Sequence, residues 1–436
     1  MSNKEETPLV PKLRFPEFRN GNPWDEELMN EVYCFKGNNS LSRDKLNYEH
    51  GTIKNIHYGD IHTKFSTHFD ITREDVPYIN ESDAPETPKA ENLCIEGDLI
   101  FADASEDTED IGKAIEIIHL NGEQVVSGLH TILARQTKAN LVSGFGGHLF
   151  KSKLVRAQIQ KESQGTKVLG LASSRLAKIK LHFPRSPHEQ QKIADCLSLL
   201  DELIAAQARK VDALKGHKKG LMQQLFPREG ETQPRMRFPE FKNTEDWKPK
   251  TIGQLGEVVT GSTPSTAKPE YYGGDRLFAS PADISDNRFI EKTKTTLTEL
   301  GFLETRQIKA NSILFVCIGS TIGKIAQNRQ ECATNQQINS VIPNSENSEG
   351  FVYYALGGIA EQIANIAGKQ AVPIVNKSLF SSIQLKVPKL PEQKQIANLL
   401  ASLDERIFAE VQELEALKTH KKGLMQQLFP PLEAAT

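Results

Sequence analysis

An internal repeat constrains the fold of this chain more than any other feature of its sequence. The eleven residues HKKGLMQQLFP stand at 217–227 and return unchanged at 420–430. The similarity continues upstream, where EQQKIADCLSLLDELI from Glu189 matches EQKQIANLLASLDERI from Glu392 at the same offset of 203 residues. Whatever element one copy forms, the chain is therefore expected to form twice.

Both copies carry the seam of a coiled coil. Apolar side chains recur in alternating steps of four and three, as the a and d positions of heptads do. The seam positions are Ile193, Leu197, Leu200, Ile204, Val211, Leu214, Leu221 and Leu225, with counterparts at Ile396, Leu400, Leu403, Ile407, Leu414, Leu417, Leu424 and Leu428. Polar residues interrupt both seams at the same two places, Gln207/Glu410 and Lys218/Lys421.

These seams predict two long helices that pack on each other. Pro187 and Pro391 stand just before the helices, and Pro227 and Pro430 end them. About 37 residues at 1.5 Å per residue give a rod of roughly 55 Å. Because the two seams match position for position, we expect the helices to pack on each other, and we expect the pair to be antiparallel. The alternative is that each helix lies separately on its own globular domain.

A second repeated block precedes each half of the chain. PKLRFPEFRNGNPW (11–24) returns as PRMRFPEFKNTEDW (234–247). We expect its aromatic residues to pack on the helices rather than to bind a ligand; they are Phe15, Phe18, Trp24, Phe238, Phe241 and Trp247. The segments between block and helix show little resemblance to each other, which is the pattern of a constant scaffold with two different inserts.

Each intervening segment is predicted to be a mixed α/β domain. Short runs such as GDLIFADAS (97–105) and INSVIPN (338–344) predict strands, and LVRAQIQKES (154–163) predicts a helix. The expected fold class is α/β (α+β), with two mixed α/β domains separated by two long helices that form an antiparallel coiled coil. The predicted boundaries are a tail and first block at 1–24, a mixed domain at 25–183, a helical region at 184–230, the second block at 231–247, a mixed domain at 248–386 and a second helical region at 387–436.

Composition excludes several classes of protein. The longest apolar runs fall short of the roughly eighteen residues that a membrane span needs. The five cysteines are scattered and contain no C-x-x-C pair, so neither a zinc ribbon nor a disulfide framework is expected. The start of the chain lacks the basic and apolar blocks of a secretory signal, and a reduced, cytoplasmic compartment is expected.

Motifs of catalysis are mostly missing from the sequence. GSTIGKI (319–325) has three residues between its glycines and Ile325 after the lysine, whereas a phosphate-binding P-loop needs four residues and a Ser or Thr. His57, Asp60, His62 and His68 form a loose cluster, for which ordinary polar contacts are more common than metal ligation. Neither a nucleophile elbow nor the Asn/Asp-Pro-Pro-aromatic motif of amino-methyltransferases occurs, so we expect no catalytic residues and no bound metal.

The layout resembles the DNA specificity subunit of type I restriction–modification systems. That family has two target-recognition domains, each followed by a helical region common to both halves. The resemblance rests on the paired EQQKIADCLSLLDELI and EQKQIANLLASLDERI segments, on HKKGLMQQLFP and RFPEF in both halves, and on GSTPSTAKPEYYGGDRLFASPADI (261–284) and GSTIGKIAQNRQECATNQQINSVIP (319–343). In the first domain, IKNIHYGDIHTKF (53–65) and GDLIFADASEDTEDIGKAIEI (97–117) resemble another subgroup of such domains.

The resemblance implies a bipartite, asymmetric site on double-stranded DNA, with each domain reading one half and the helices setting the spacing. It also implies two methyltransferase subunits that use S-adenosylmethionine to modify an adenine at N6, and motor–nuclease restriction subunits that use ATP and Mg²⁺. The chain itself would hold no cofactor. Two rival functions stay open: a self-sufficient DNA methyltransferase or nuclease, and a coiled-coil scaffold that does not bind DNA.

Candidate DNA-reading residues follow from the chemistry of base edges, because Arg and Lys pair with guanine, and Asn and Gln pair with adenine. In the first domain the candidates are His57, Tyr58, His130, Gln164, Thr166, Lys167, Ser174 and Arg175. In the second domain they are Ser320, Thr321, Lys324, Asn335, Gln336, Gln337, Lys369 and Gln370. Residues 151–185 support the first set, since they hold nine Lys or Arg side chains against Glu162 alone. Each candidate could equally make hydrogen bonds within its own loop.

Overall fold

The computed structural model describes residues 10–83, 89–138, 140–368 and 373–431. The chain divides into two compact units that do not coincide with its two sequence halves. Residues 1–206 and 415–436 belong to the first unit, and residues 207–414 form the second. Each unit therefore contains one mixed domain together with a part of each long helix.

The helices in chain order are α1 (Met29–Val32), α2 (Tyr58–Thr63), α3 (Phe145–Leu149), α4 (Lys153–Glu162), α5 (Ser173–Leu176), α6 (Pro187–Leu225), α7 (Ile252–Leu255), α8 (Glu299–Leu303), α9 (Glu349–Gly358), α10 (Ala360–Ile366), α11 (Lys377–Ser382) and α12 (Leu390–Leu428). Short 3-10 helices lie at Pro16–Phe18, Arg43–Lys45, Ala90–Asn92, Pro239–Phe241 and Pro269–Tyr271. Within the described residues, none of these helices is both long and apolar enough to cross a membrane.

The two long helices match the sequence prediction closely. Helices α6 and α12 have 39 residues each, which corresponds to about 58 Å of helix axis. One detail of the prediction is wrong, because Pro187 and Pro391 lie inside the first turn of their helices rather than before it. A proline is tolerated there, since the first N–H groups of a helix have no partner within it.

The side chains at the predicted seam positions are among those that these helices bury. Every seam position from Ile193 to Leu225 and from Ile396 to Leu428, polar interruptions included, is buried or half-buried. In the second unit, Gln207 donates from Nε2 to the backbone oxygen of Glu410 at 2.9 Å and to its carboxylate at 2.7 Å. The polar interruptions are thus partners in the helix contact rather than gaps in it.

The direction of helix pairing follows from two ion pairs. In the second unit Lys218, late on α6, pairs with Asp404, early on α12. In the first unit Lys421, late on α12, pairs with Asp201, early on α6. Late residues meet early residues in both units, so the pairing is antiparallel as predicted, and the alternative of two separately docked helices is wrong.

The strands of the mixed domains carry the remaining regular structure. In the first unit they are β1 (Asp25–Leu28), β2 (Tyr33–Lys36), β3 (Leu46–Asn47), β4 (Ile53–Ile56), β5 (His68–Asp70), β6 (Tyr78–Ile79), β7 (Leu99–Ala102), β8 (Ala104–Ser105), β9 (Ala114–His119), β10 (Gln124–Ser127), β11 (Thr131–Gln136), β12 (Leu169–Gly170) and β13 (Lys180–Phe183). In the second unit they are β14 (Lys248–Thr251), β15 (Gly256–Thr260), β16 (Tyr272–Ala279), β17 (Phe289–Ile290), β18 (Thr295–Leu297), β19 (Ile313–Val316), β20 (Ile325–Asn328), β21 (Ala333–Thr334), β22 (Ile338–Pro343) and β23 (Gln384–Val387).

Each mixed domain is built on a five-stranded central sheet, and the two sheets have the same topology. The strand order is β2-β11-β7-β9-β5 in the first unit and β15-β22-β19-β20-β17 in the second. In both sheets the first four strands are antiparallel neighbours and the last strand is parallel to the fourth. Two segments with little sequence resemblance therefore share one topology.

Each mixed domain closes on itself just before its long helix. Strand β1 pairs with β13, and β14 pairs with β23, so the first and last strands of each domain are antiparallel neighbours. These pairs lie at the ends of the predicted domains 25–183 and 248–386. Entry and exit of the chain are thus held together at the domain boundary.

The repeated block anchors the start of each long helix. In the first unit the guanidinium of Arg14 contacts the Glu189 carboxylate at 2.6 Å, and Trp24 donates from Nε1 to the same carboxylate at 3.4 Å. In the second unit Arg237 contacts Glu392 at 2.7 Å, and Trp247 donates to it at 3.2 Å. Both tryptophans are buried, which confirms that they pack within the fold.

The HKKGLMQQLFP element completes the core of the unit formed by the other half of the sequence. In the first unit Phe429 lies 5.9 Å from both Trp24 and Phe145, measured between ring centroids. In the second unit Phe226 lies 6.1 Å from Trp247 and 5.5 Å from Phe351. The element occurs twice because each of the two cores needs one copy.

A buried carboxylate predicts a pH-dependent stability of the first unit. Glu116 is 1% exposed, and burial raises its pKa from 4.5 to about 7, although the backbone N–H groups of Gly144 and Gly147 donate to it. Because the pKa of Glu116 is higher in the folded state than in the unfolded state, protonation of this carboxyl stabilises the folded state. The stabilisation is fully present below the unfolded-state pKa of 4.5. That stabilisation, about 3 kcal/mol, is lost as pH rises through about 7.

We expect Glu116→Gln to remove this contribution, since glutamine does not titrate. Glutamine is already present at the equivalent sheet position of the second unit, where Gln327 pairs with Ile313 as Glu116 pairs with Leu99. Urea unfolding of the parent and the variant between pH 5 and 8.5 measures the difference. Equal pH slopes in the two proteins would contradict the prediction.

Candidate nucleic-acid interface

Three loops meet at one end of the central sheet in the second unit. They are the segment that follows β19, the turn that precedes β22, and the segment that precedes α11. The N–H of Cys317 donates to the backbone oxygen of Gln337 at 2.8 Å, and the N–H of Val375 donates to that of Cys317 at 2.8 Å. These backbone bonds hold the three loops side by side.

The same three loops meet in the first unit through the same bonds. The N–H of Asp103 donates to the backbone oxygen of His130 at 3.0 Å, and that of Leu171 donates to Asp103 at 2.8 Å. Asp103 is therefore equivalent to Cys317, His130 to Gln337 and Leu171 to Val375. We call the surface formed by these three loops the sheet-end surface. Its backbone hydrogen bonds are common to both units, whereas its side chains differ.

A fourth segment adjoins the sheet-end surface in both units. The N–H of Gly128 donates to Ile56 at 2.9 Å in the first unit, and that of Asn335 donates to Ala279 at 3.0 Å in the second. This makes HYGDI (57–61) equivalent to SPADI (280–284). The two openings, which resemble different subgroups as sequences, occupy one structural position.

An Ile-Gly-Lys motif occurs in both domains at the end of the loop that follows the third sheet strand. Gly112 and Gly323 have positive φ angles of 66° and 97°, a conformation that glycine adopts readily. Lys113 donates from Nζ to the backbone oxygen of His62 at 2.7 Å, and Lys324 donates to that of Ile284 at 3.2 Å. The candidate Lys324 therefore ties loops together, and Lys113 is its counterpart, which the sequence interpretation missed although IGK stands in both segments.

The second domain brings most of its remaining candidates to the sheet-end surface. Asn335 donates from Nδ2 to Gln337 Oε1 at 2.9 Å, and Gln336 is exposed while its Oε1 accepts from Thr263 Oγ1 at 2.8 Å. Ser320 and Thr321 lie in the loop beside them, with Ser320 exposed. The candidates Lys369 and Gln370 lie outside the described residues.

The GST loop (261–263), not among the candidates, also crosses this surface. A Cβ at Gly261 would lie 2.2 Å from Thr334 Oγ1, so glycine is needed for the close approach of the two backbones. Thr263 reaches Gln336 from this loop, and Arg306 donates from Nη1 to the backbone oxygen of Thr260 at 2.9 Å. Thr263 and Arg306 thus join the candidates of the second domain.

In the first domain three candidates line one open cleft of about 500 Å³. They are His130, Gln164 and Arg175, and Asp103 lies with them in the lining. The apolar side chains of Val168, Leu169 and Leu171 complete the walls. Polar groups of both hydrogen-bonding types therefore converge on a cleft at the sheet-end surface.

The three remaining candidates of the first domain lie in the loop that forms one wall of this cleft and in the helix α5 that follows it. Gln164 pairs with Gly170 through two backbone hydrogen bonds, which closes the loop at its base. Thr166 and Lys167 are exposed between them, and Ser174 is exposed at the start of α5. These residues are accessible to a ligand larger than the cleft, such as a nucleic-acid backbone.

His57 and Tyr58 have structural contacts in the first unit. His57 is buried and caps α2, because its Nδ1 accepts the N–H of Gly59 at 3.2 Å. The pKa of His57 is lowered, mainly by burial and also by the adjacent Arg43 guanidinium. The half-buried Tyr58 ring lies 5.3 Å from that of His130. His57 therefore supports the loop, and Tyr58 supports His130.

The remaining members of the loose histidine cluster are also engaged within the fold. Asp60 is buried and pairs with Arg43 at 3.1 Å. His62 Nε2 lies 3.0 Å from the backbone oxygen of Ala104, and His68 Nε2 lies 2.8 Å from that of Gly144. No group of three or more potential ligands that could hold a metal ion is found among the described residues.

Asp103 and His130 form a pair that faces the cleft. His130 Nδ1 lies 3.2 Å from Asp103 Oδ1, and the His130 side chain is 52% exposed. Burial raises the pKa of the Asp103 carboxyl, while His130 acts in the opposite direction. His130 also has a positive φ of 54°, a conformation uncommon for residues other than glycine.

The stretch 151–185, which supplies one loop of the first sheet-end surface, is basic. Lys153, Lys161, Lys167 and Lys178 are exposed in the stretch 151–185. Glu162, the one acid in that stretch, pairs with Arg175 at 3.5 Å. A polyanion such as a phosphate backbone would therefore meet favourable charge along this stretch.

Comparison with known proteins identifies a family and individual relatives that match the chain to different extents. A family model described as "Type I restriction modification DNA specificity domain" matches residues 30–215 and 244–419. The type I restriction enzyme HindI specificity subunit of Haemophilus influenzae is 34% identical over 147 residues, which cover 33% of this chain and 32% of that protein. The putative type I restriction enzyme MjaX specificity subunit of Methanocaldococcus jannaschii is 24% identical over 402 residues, or 89% of this chain and 88% of that protein.

A solved structure shares the fold. The crystal structure of the type I restriction–modification system S subunit from M. genitalium matches with a TM-score of 0.61 at 15% sequence identity, covering 97% of this chain and 99% of that one. The expected fold class, two mixed α/β domains with long helices, is therefore confirmed by both the structure and this neighbour.

Proposed function

Because the chain belongs to the type I restriction modification DNA specificity domain family, we propose that it is the DNA-binding specificity subunit of a type I restriction–modification complex. Each mixed domain reads one half of a bipartite, asymmetric site on double-stranded DNA. The observation that carries the proposal is the sheet-end surface, which presents different side chains on one shared backbone framework.

The side chains on these surfaces suit the reading of base edges. In the second domain Asn335, Gln336 and Gln337 offer amide groups, which pair with the adenine edge through a donor and an acceptor. In the first domain Gln164, His130 and Arg175 converge on the cleft. Exposed lysines beside the cleft supply contacts to phosphates, which give affinity without sequence preference.

The antiparallel helices set the spacing of the two half-sites. An α-helix does not shorten without breaking its hydrogen bonds, so a pair of 39-residue helices acts as a rigid ruler. One helical turn of DNA is about 34–36 Å, and each helix is about 58 Å long. A ruler of this length is compatible with half-sites separated by an unread gap.

The chemistry of the complex belongs to its other subunits. Two methyltransferase subunits dock on the helices and modify adenine at N6 with S-adenosylmethionine, and restriction subunits cut DNA with ATP and Mg²⁺. The chain itself contributes recognition and is not an enzyme. Support comes from the family description and from the names of the relatives, which are specificity subunits.

Exchanging residues 248–386 for the corresponding domain of another specificity subunit tests this function. The exchange should replace one half of the recognised sequence and leave the other half and the adenine methylation of that half unchanged. Long-read mapping of N6-methyladenine, in cells carrying the complete system, reads both halves and the gap at once. A change in both halves, or in neither, would contradict independent reading by two domains.

Two further measurements separate the rival functions. Binding of S-adenosylmethionine by the isolated chain would favour a self-sufficient methyltransferase. A failure of the complete complex to shift any duplex in a sequence-selective way would favour a scaffold that does not bind DNA. The proposed function expects neither result.

A further inference from the structure

We propose that Asp103, held by His130, reads the exocyclic amine of one base, cytosine N4 or adenine N6, in the half-site bound by the first domain. The inference rests on the proposed function and adds a residue and a base chemistry to it. It arises from the cleft at the first sheet-end surface, where a carboxylate lies among basic and amide groups.

The position of Asp103 is fixed by the framework of the sheet. Its N–H donates to the backbone oxygen of His130 and its backbone oxygen accepts from Leu171, so the residue is tied to two of the three converging loops. The equivalent residue of the second domain is Cys317, which is buried and carries no charge at the surface. The carboxylate is therefore a feature of the first domain alone at this position.

One oxygen of the carboxylate is oriented and the other is available. His130 Nδ1 lies 3.2 Å from Oδ1, and because an ionised carboxylate only accepts, Nδ1 carries the proton of this bond. Within the described part of the chain, Oδ2 receives no hydrogen bond. The Asp103 side chain is 27% exposed and lines the open cleft, where a base edge would meet Oδ2.

The chemistry of DNA then selects the ligand of this oxygen. A carboxylate repels phosphate, and it also repels guanine and thymine, whose major-groove edges present acceptor oxygens. Cytosine N4 and adenine N6 are the donors that the major groove offers, and Asp or Glu accepts from cytosine N4. A carboxylate that lines a DNA-binding cleft thus costs affinity unless it meets an amine.

The backbone of His130 gives independent support. Its φ of 54° is left-handed, whereas Gln337 at the equivalent position of the second domain does not have a positive φ. Strained residues persist where the surrounding structure determines them and cluster at binding sites. Here the conformation brings the imidazole against both Asp103 and the Tyr58 ring, 5.3 Å away.

The first experiment compares recognition by the parent, Asp103→Asn and Glu106→Gln in cells with the complete system. Asparagine keeps the shape of the side chain but adds a donor, so one base pair of the first half-site should lose its preference while the second half-site stays unchanged. Glu106→Gln removes a charge from an exposed position of the same loop and should leave both half-sites unchanged. Mapping of N6-methyladenine reports every position.

The second experiment removes the amine from the DNA instead of the carboxylate from the protein. At the base pair identified above, cytosine is replaced by 2-pyrimidinone, or adenine by purine, in a duplex bound by the purified complex. The parent should bind the amine-free duplex roughly tenfold more weakly, and Asp103→Asn should show little difference between the two duplexes. Weaker binding of the 2-pyrimidinone duplex identifies cytosine N4 as the amine that Asp103 reads, and weaker binding of the purine duplex identifies adenine N6.

His130→Asn provides a second variant that tolerates the left-handed backbone. It should erode the preference at the same base pair and at no other, because Asp103 loses the group that orients it. Unchanged base preference in Asp103→Asn, or an equal loss of affinity on all duplexes, would overturn the inference and leave the proposed function standing. A parent complex without any bipartite preference would overturn the proposed function itself.

Discussion

Arg237→Met is expected to lower the free energy of unfolding of the second unit by roughly 3–5 kcal/mol. The Glu392 carboxylate is 2% exposed and receives Nε and Nη2 of Arg237 at 2.7 and 2.8 Å, as well as Trp247 Nε1. Without the guanidinium, a buried negative charge is left with one neutral donor. The loss is far larger than that of an exposed ion pair, because water cannot replace the missing partner.

A matched control lies two residues away. Arg235 pairs with Glu231 at 3.0 Å, and its side chain is 53% exposed, so Arg235→Met should cost no more than about 1 kcal/mol. Each unit contains one of the two tryptophans, Trp24 and Trp247, so a Trp24→Phe background makes fluorescence in urea a report on the second unit. Equal losses in the two arginine variants would refute the buried-charge explanation.

Phe429→Ala is expected to destabilise the first unit by about 3–5 kcal/mol. The Phe429 ring is 2% exposed and packs between Trp24 and Phe145, so its removal leaves a cavity in the core. The mutation lies hundreds of residues from the domain it weakens, yet recognition of the first half-site should suffer and that of the second should not.

Unfolding of the first unit is followed through Trp24 in a Trp247→Phe background. Gln427→Ala is the matched control, since this exposed side chain lies two residues earlier and only its backbone oxygen is used, by Leu13. It should change stability by less than about 0.5 kcal/mol. If Phe429→Ala were as mild as the control, the Phe429 ring would not belong to the core.

The helical part of the fold was predictable from sequence because its signal is periodic. The heptad seam foretold which faces of α6 and α12 are buried, including the polar positions Lys218 and Lys421. Their partners Asp404 and Asp201 were not foreseen, because they stand outside the seam. A seam shows which residues face the partner helix, but the charges at its edges depend on the direction and register of pairing.

The common framework of the two mixed domains was hidden by divergence of the sequence. Strand order depends on backbone hydrogen bonds, which almost any β-forming side chain can support, so the two inserts share a sheet with few shared letters. Two short traces survive, the Ile-Gly-Lys motif at Lys113 and Lys324 and the Asp-Ile pairs at 60–61 and 283–284. In the first, both lysines donate to a backbone oxygen of another loop, and in the second, both isoleucines are buried.

The candidate site was only partly predictable for the same reason. Residue type selected His130, Gln164 and Arg175 as candidates, and the structure brings all three to one cleft. It could not separate them from His57, whose polar atom is used to cap a helix. It also missed Asp103, since a single aspartate after a strand has no distinguishing spacing.

The placement of Phe429 in the first unit has a consequence for biosynthesis. Residues 207–414 are contiguous, so the second unit has its full complement of residues as soon as they have left the ribosome. The Trp24 pocket, although made of residues translated early, stays open until the final turn of α12 and Phe429 have been translated. All residues of the second unit are therefore translated before the first unit has its complete core, and until then Trp24 lacks its contact with Phe429 and is suited to protection by chaperones.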